Sequence, residues 1–357
     1  MILVDGHIDV AFNHFCFGRD PRDSALDTRA REGDKAQERW RGACMVGLPE
    51  LRRGRVGVIF STIFLAPESA GIEGGNPSAV TYGTSAEAAQ LGALQMDFYR
   101  RLAEDAESGF RLIGTRADLE AVLAGWKDGA TGAVGLVPLM EGADPIREID
   151  DVAEWFERGV RIVGLAWRRT RYAGGTGAPG PLTPEGRRLV PALGEAGLIL
   201  DLSHAAEESF FEALDLCEGP VIASHSNPRA LCPGDRQLSD DMIRRLAERG
   251  GVMGIVPFNR LLVEGWADRG RPAVPLSRVA DAVQHVAQVA GTAAVVAIGS
   301  DFDGGFGAEA APVGLDTIAD LPRLADALAD LSFPDEAIHG ILGGNWVRFL
   351  ERSLPPG

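Results

Sequence analysis

Three histidines follow short apolar runs: His7 after Ile2-Leu3-Val4-Asp5-Gly6, His204 after Leu200-Asp201-Leu202-Ser203, and His225 after Val221-Ile222-Ala223-Ser224. His7 and Asp9 are two residues apart, and in an extended chain such side chains point the same way, so the pair can grip one cation. Carboxylates close two further runs, Glu141 after Leu139-Met140, and Asp301 with Asp303 in Gly299-Ser300-Asp301-Phe302-Asp303-Gly304. Imidazole nitrogen combined with carboxylate oxygen suits a borderline divalent ion such as zinc. A single zinc needs three protein ligands and a water, so five donors (His7, Asp9, Glu141, His204, His225) predict two cations sharing a carboxylate. Glu141, alone on its strand, is the candidate bridge. Two cations about 3.5–4 Å apart would hold a hydroxide between them at reduced proton affinity, and Asp301 across the mouth would serve as proton shuttle.

Each feature also has a plain structural reading, as a hydrogen-bonded core histidine, a helix N-terminal carboxylate or a turn aspartate. The conjunction outweighs them, because three of the six histidines stand at the ends of apolar runs, with carboxylates ending two others. His14, His285 and His339 fall on a loop or in helical stretches and are assigned structural or surface roles.

Those runs must be strands whose ends converge. Strand-length apolar runs at about 2–6, 55–63, 134–140, 161–166, 197–202, 219–223, 251–257 and 294–299 alternate with helical patterns, which predicts repeated βα units. Eight such strands close a parallel (β/α)8 TIM barrel, an α/β fold that keeps its chemistry at the C-terminal strand ends. Helices fit 85–106, 116–126, 150–158, 184–195, 206–216, 239–249, 276–290 and 317–330. In the first of these Ala88, Leu91, Leu94, Phe98 and Leu102 predict the buried face. Residues 110–114 form a leftover extended piece, expected in an outer hairpin or edge. The segments at about 17–54 and 66–84 decorate a single domain, 1–357, and are expected to lie over the barrel mouth.

With 357 residues the chain can bury a large core, and a net charge of −16 disfavours nucleic acid or an anionic membrane as partner, since both need a cationic face. A small solute is the expected partner. Cys16, Cys44, Cys217 and Cys232 form no C-x-x-C pair and no secretory signal precedes Asp5, so reduced thiols and a cytoplasmic location are expected. No apolar stretch reaches the ~20 residues of a membrane span, so no membrane insertion is expected.

Taken together, D-G-H-x-D at the start, a strand ending in E-G, D-L-S-H, then P-V-I-A-S-H-S followed by N-P-R-A-L, and finally G-S-D-F-D-G resemble the membrane or renal dipeptidases, peptidase family M19. The similarity runs from Asp5 to about Asn345. It implies a two-zinc barrel hydrolysing dipeptides, with His7 and Asp9 on one zinc, His204 and His225 on the other, Glu141 bridging and Asp301 catalytic. By motif position Arg236 would receive the substrate's C-terminal carboxylate, a role a guanidinium fork suits. Renal members carry a histidine at the end of the fourth strand, thought to steady the oxyanion, where this chain has Trp167, as bacterial relatives commonly do. The family tolerates a D-residue at the C-terminal position, which makes L-Xaa-D-Xaa dipeptides the expected substrates. Relatives are often dimers, and a homodimer is the expected assembly.

Arg168, Arg169, Arg171 and Tyr172 make a basic cluster in an acidic chain. Besides a solvated loop, the cluster fits a receiver for an acidic substrate side chain, so Trp167, Arg168, Arg171 and Tyr172 join Arg236 as candidate substrate contacts. Other reactions on the same centre, such as N-acyl-amino-acid deacylation, deamination or lactone hydrolysis, remain the alternative. The only lysines, Lys35 and Lys127, lie near no strand end, which disfavours a lysine-bridged metal pair and removes a Schiff-base aldolase. A phosphate-binding barrel is disfavoured because the glycines at 304–307 follow two aspartates.

Overall fold

The computed structural model describes residues 1–127 and 131–357. Eight parallel strands form the barrel: β1 Leu3–Ile8, β2 Val56–Phe64, β3 Val134–Glu141, β4 Ile162–Gly164, β5 Ile199–Asp201, β6 Val221–Ala223, β7 Val252–Ile255 and β8 Val296–Ile298. Each pairs with the next, β8 pairs with β1 at Asp5↔Ile298, and helices fill the connections. Every residue of these strands is buried, because side chains on one face fill the barrel and those on the other meet the helix ring. Their register brings the C-terminal ends to one rim, with Phe64 beside Glu141, Glu141 beside Gly164 and Gly164 beside Asp201.

Strand β6 is admitted to the barrel by three glycines. A Cβ on Gly299 would lie 1.9 Å from the Ser224 carbonyl oxygen, one on Gly254 2.0 Å and one on Gly6 2.7 Å. Backbone therefore meets backbone where β1, β7 and β8 surround the end of β6. Ser224 and His225 are carried inward by this approach.

Helix Ser85–Glu104 starts at a capping box between Thr84 and Glu87. Its buried face differs from the expected one: Ala88, Gly92, Gln95, Met96, Phe98, Tyr99 and Leu102 are buried, while Leu94 faces solvent. The reason is polar. Gln95 bonds both the N–H and the carbonyl of Phe64, at 3.0 and 2.8 Å, and the Tyr99 hydroxyl accepts from Ala11 N at 3.0 Å and donates to Thr62 O at 2.7 Å. The helix thus ties down the ends of β1 and β2, where a purely apolar stripe would leave backbone groups unpaired.

The expected extended piece is the strand Phe110–Leu112, an outer edge lying parallel to the start of β3 and not a hairpin. Residues 318–323 form a tight 3-10 turn, with the α-helix beginning only at Leu324. Segment 66–84 packs with Phe12, Cys16 and Phe64 in a small satellite core beside the mouth. Of segment 17–54, Trp40 reaches the barrel mouth, and a buried ion cluster ties the segment to itself and to Asn13. Glu32 accepts from Arg19 at 3.0 and 2.8 Å and from Arg41 at 3.0 Å, while Arg19 also donates to Asn13 Oδ1 and Gly42 O. All four cysteines are buried and unpaired. Among the described residues no helix is long and apolar enough to cross a membrane.

Candidate metal centre

Strands β1, β3, β5 and β6 deliver the expected donors to a single point. Glu141, ending β3, lies at the middle: its Oε2 is 3.3 Å from His7 Nε2, and its Oε1 is 3.2 Å from His204 Nε2 and 3.5 Å from His225 Nε2. The two carboxylate oxygens therefore face different histidines. Asp9 Oδ1 and Asp301 Oδ1 stand 3.8 and 4.0 Å from His7 Nε2, across from the other two rings. The His204 and His225 Nε2 atoms approach to 3.0 Å.

Such an array fits cations better than it fits itself. His7 Nε2 is buried with no hydrogen-bond partner among the described residues, and its neighbours are carboxylate oxygens. Two Nε2 lone pairs facing each other beside one carboxylate oxygen repel unless a proton or a cation lies between them. His7, Glu141 and His225, and again His7, Asp9 and Asp301, each offer ligand atoms within 4.8 Å of one another. Nitrogen and oxygen donors in this mixture suit zinc-like divalent ions.

Charge balance points the same way. Burial disfavours a charged His7 imidazole, yet Glu141, Asp9 and Asp301 outweigh it and push the group up to about 9. Burial together with the charge of Glu141 raises Asp9 to about 7. Glu141 is held well below the ordinary carboxylate range against its burial, first by the charge of His7 and then by the close approach of the His204 and His225 rings. Burial and the positive charge of Arg236 lower His204 to about 4, and burial with the charges of His7 and then Arg236 lowers His225, so these two rings favour the neutral form a metal ligand needs. The surplus negative charge that holds a proton on His7 would equally hold a cation.

Strained backbone marks the same rim. His204, Asp301 and Asp303 adopt φ of 63°, 57° and 65°, the left-handed region that disfavours residues with a Cβ by about 1–2 kcal/mol. Surrounding bonds hold them: Asp301 N–H donates to His7 O at 3.1 Å, and Asp303 accepts from Met45 N at 2.8 Å and Val46 N at 3.1 Å, clamping the overlying segment to the end of β8.

Above the donors opens a cavity of about 610 Å³. Asp9, Glu141, His204 and Asp301 floor it, and Phe12, Trp40, Phe64 and Trp167 make an aromatic wall. Trp167 packs edge-on to Phe64 with ring centroids 5.2 Å apart and lies 6.0 Å from Trp40. On the opposite side stand Arg236, Arg260 and Phe258, and Arg168 lies at the lip, over the Trp167 ring at 5.0 Å. Arg236 donates to Ser226 Oγ at 3.1 Å and to His225 O, which aims the remaining N–H groups of its fork; burial lowers its pKa.

Two expected contacts are elsewhere. The Tyr172 ring is buried in the core with its hydroxyl donating to Ile146 O, and Arg171 is exposed with Nη1 on Arg147 O at 2.6 Å; neither lines the cavity. The reason is the turn after β4, where Thr170 Oγ1 bonds Leu165 O at 2.8 Å and reverses the chain, leaving only Trp167 and Arg168 facing the mouth. His14 stacks on Phe98, and His285 pairs with Asp240 at 2.8 Å, both outside the centre.

Sequence reasoning passed over several residues that orient the donors. Thr62 donates to Asp9 Oδ1, and Thr176 Oγ1 lies 2.9 Å from His204 Nδ1. Asp5 accepts from His7 N at 3.1 Å and Ser300 N at 2.7 Å, joining β1 to β8. Asp5 and Asp201 carried a visible signal, an acidic residue inside an apolar run where burial is costly without partners. Trp40, Thr176 and Arg260 carried none, because long connections bring them in.

A parallel barrel holding a histidine–carboxylate donor set at its C-terminal rim, with an arginine in the cavity above, defines a metal-dependent hydrolase. The sequence profile of the membrane dipeptidase family, peptidase family M19, matches residues 1–353. The chain belongs to that family, as a metallo-dipeptidase. It is 26% identical to an uncharacterized dipeptidase of Schizosaccharomyces pombe over 321 residues, 86% of this chain and 71% of the relative. In fold it resembles a metallopeptidase of Rhodobacter sphaeroides, solved with a phosphinate mimic of the dipeptide L-Ala-D-Ala, with TM-score 0.77, 24% identity and 99% of both chains covered. A probable dipeptidase of Pseudomonas aeruginosa, PvdM, gives TM-score 0.80 at 20% identity over 99% of this chain and 96% of its own.

Proposed function

We propose that the chain is a two-zinc dipeptidase acting on L-Xaa-D-Xaa dipeptides, with a preference for an acidic C-terminal residue. One observation carries the two-cation reading: Glu141 turns one oxygen to His7 and the other to His204 and His225. His7 with Asp9 would hold one ion, His204 with His225 the second, and Glu141 both. Divalent ions held there would supply Lewis acidity and lower the proton affinity of a water molecule.

The protein's own groups do the rest. Arg236 takes the substrate's terminal carboxylate in a charge-assisted fork, placing the peptide carbonyl over the donors. Burial, with the charges of Asp9 and Glu141 outweighing that of His7, raises Asp301 well above the ordinary carboxylate range. That shift makes its carboxylate a stronger proton acceptor, suited to take a proton from the attacking water and pass it to the departing amine nitrogen. The aromatic wall excludes water from one side of the cavity, and Arg168 and Arg260 supply positive charge near its opening. The ligand of the Rhodobacter sphaeroides protein supports the D-configured C-terminal residue.

The test is a panel of L,L and L,D dipeptides, acidic and neutral at the C-terminus, given to zinc-reconstituted protein alongside N-acyl-amino acids and lactones. Cleavage of L,D dipeptides ahead of L,L is expected. Turnover confined to N-acyl-amino acids or lactones would replace the peptidase reading with the deacylase or lactonase alternative, whose substrates can meet the same arginine.

A further inference from the structure

Behind the donor set, outside the residues that line the cavity, lies a further buried carboxylate. Asp201, the last residue of β5, is 1% exposed, and its Oδ1 accepts the N–H groups of Ser203 at 3.0 Å and Ser224 at 2.9 Å. Those two bonds fix the plane of the carboxylate and join the ends of β5 and β6. Its other oxygen, Oδ2, is 2.5 Å from Ser224 Oγ. A carboxylate only accepts, so the single hydroxyl proton of Ser224 points at Asp201. The lone pairs of Ser224 are left to accept, and the nearest group is His225 Nδ1 at 2.8 Å, with His7 Nδ1 and Ser203 Oγ both farther away at 3.4 Å. A neutral His225 must then carry its one ring proton on Nδ1, which leaves Nε2 bare on the side facing Glu141. Ser224 and His7 are 0% exposed and His225 1%, so no bulk water competes for these bonds.

We infer that Asp201 is a positioning residue that acts through the Ser224 hydroxyl to set the imidazole tautomer of His225, so that this ring offers an unprotonated Nε2 to a cation. The inference rests on the metal-centre reading of the same site, and it assigns direction to a contact that distances alone leave open. Had Ser224 donated to His225 instead, two oxygens 2.5 Å apart would face each other without a proton between them.

Asp201→Asn tests this with little change in shape. The amide oxygen keeps the two backbone bonds, while the amide nitrogen is a donor where Oδ2 accepted. Ser224 must then turn its proton to His225 Nδ1, which places the ring proton on Nε2. The readout is imidazole ¹⁵N–¹H correlation NMR of the full-length chain labelled at histidine, zinc-loaded and after chelation, with zinc affinity measured by chelator competition. The wild type should show His225 protonated at Nδ1 in both states. Asp201→Asn should show Nε2 protonation after chelation and a loss of about 10–100-fold in affinity for one zinc, the range typical of groups that orient ligands. Persistence of the Nδ1 tautomer in the variant, or affinity within twofold of wild type, overturns the inference. Should Asp201→Asn fail to fold, Ser224→Ala takes its place: a mixed His225 tautomer is expected, and a pure Nδ1 form overturns the inference. Because the tautomer is read without metal, the two ideas fail separately. Wild type binding a single zinc per chain would end the two-cation proposal, yet tautomer reversal in the variant would still support Asp201's role.

Discussion

Glu141 and Asp301 are both carboxylates on the floor of one cavity, but their removal should differ in kind. Glu141 touches three histidines, so Glu141→Gln takes away the charge that gathers the donors; zinc content should fall below one ion per chain and activity should vanish with it. Asp301→Asn should keep zinc content and lower kcat by about 10²–10⁴-fold, the usual worth of a positioned proton-transfer group, with KM little changed. Metal analysis beside steady-state kinetics separates the two, and equal zinc loss in both variants would contradict the assignment. The acidic preference also lives at this scale. Arg168→Met and Arg260→Met should each lower the ratio of acidic to neutral substrate turnover several-fold, since both face the cavity. Arg171→Met should leave that ratio unchanged, because Arg171 is committed to the Arg147 carbonyl.

At the scale of elements, the centre depends on how closely β6 enters the barrel. Gly299 and Gly254 give the Ser224 carbonyl its room, and a methyl group at either would collide with backbone, which cannot swing aside as a side-chain tip can. Gly299→Ala should therefore push Ser224 and His225 outward, destabilise the fold by about 1–3 kcal/mol through overpacking, and weaken zinc binding together with stability. Thermal melts with chelator titration test this, and a melting temperature and zinc affinity both equal to wild type would refute it. The long helix Ser85–Glu104 works from the other side. Gln95 and Tyr99 spend buried positions on hydrogen bonds to strand ends, which is why its inward face is partly polar and Leu94 is turned to water.

Over the whole molecule, segment 17–54 brings Trp40 to the cavity wall from a long connection that an ion cluster organises. Burial alone would raise the Glu32 carboxyl, but hydrogen bonds and charge from Arg19, then Arg41, outweigh it and hold the group below its ordinary 4.5. A carboxylate depressed in the folded state stabilises above its unfolded value and loses that contribution as pH falls through 4.5 toward the folded one. Amide exchange across residues 19–46 should accordingly quicken below about pH 4.5 while the barrel strands stay protected. In Glu32→Gln the same segment should exchange at least about tenfold faster at neutral pH and lose most of its acid dependence, because two buried arginines are left without their shared partner. Unchanged exchange in that variant would show that the segment is held by apolar contacts alone.

The alternation of apolar runs with helical stretches determined the parallel barrel, since a chain with that pattern has few other ways to bury both faces of its strands. The side-chain period of two and the placement of donors at run ends likewise put His7, Asp9, Glu141, His204, His225 and Asp301 at one rim. Reading further failed where connections turn back. Arg171 and Tyr172 follow Trp167 and Arg168 closely in sequence, yet the Thr170 turn sends one pair to the cavity and the other away. Trp40 and Arg260 reach the cavity from distant loops, and the direction of the Ser224 proton depends on Asp201 across the neighbouring strand. Periodicity is local and survives in the sequence; which loop covers a rim, and which oxygen a hydroxyl faces, are set by contacts between segments far apart in the chain and exist only once the barrel has closed.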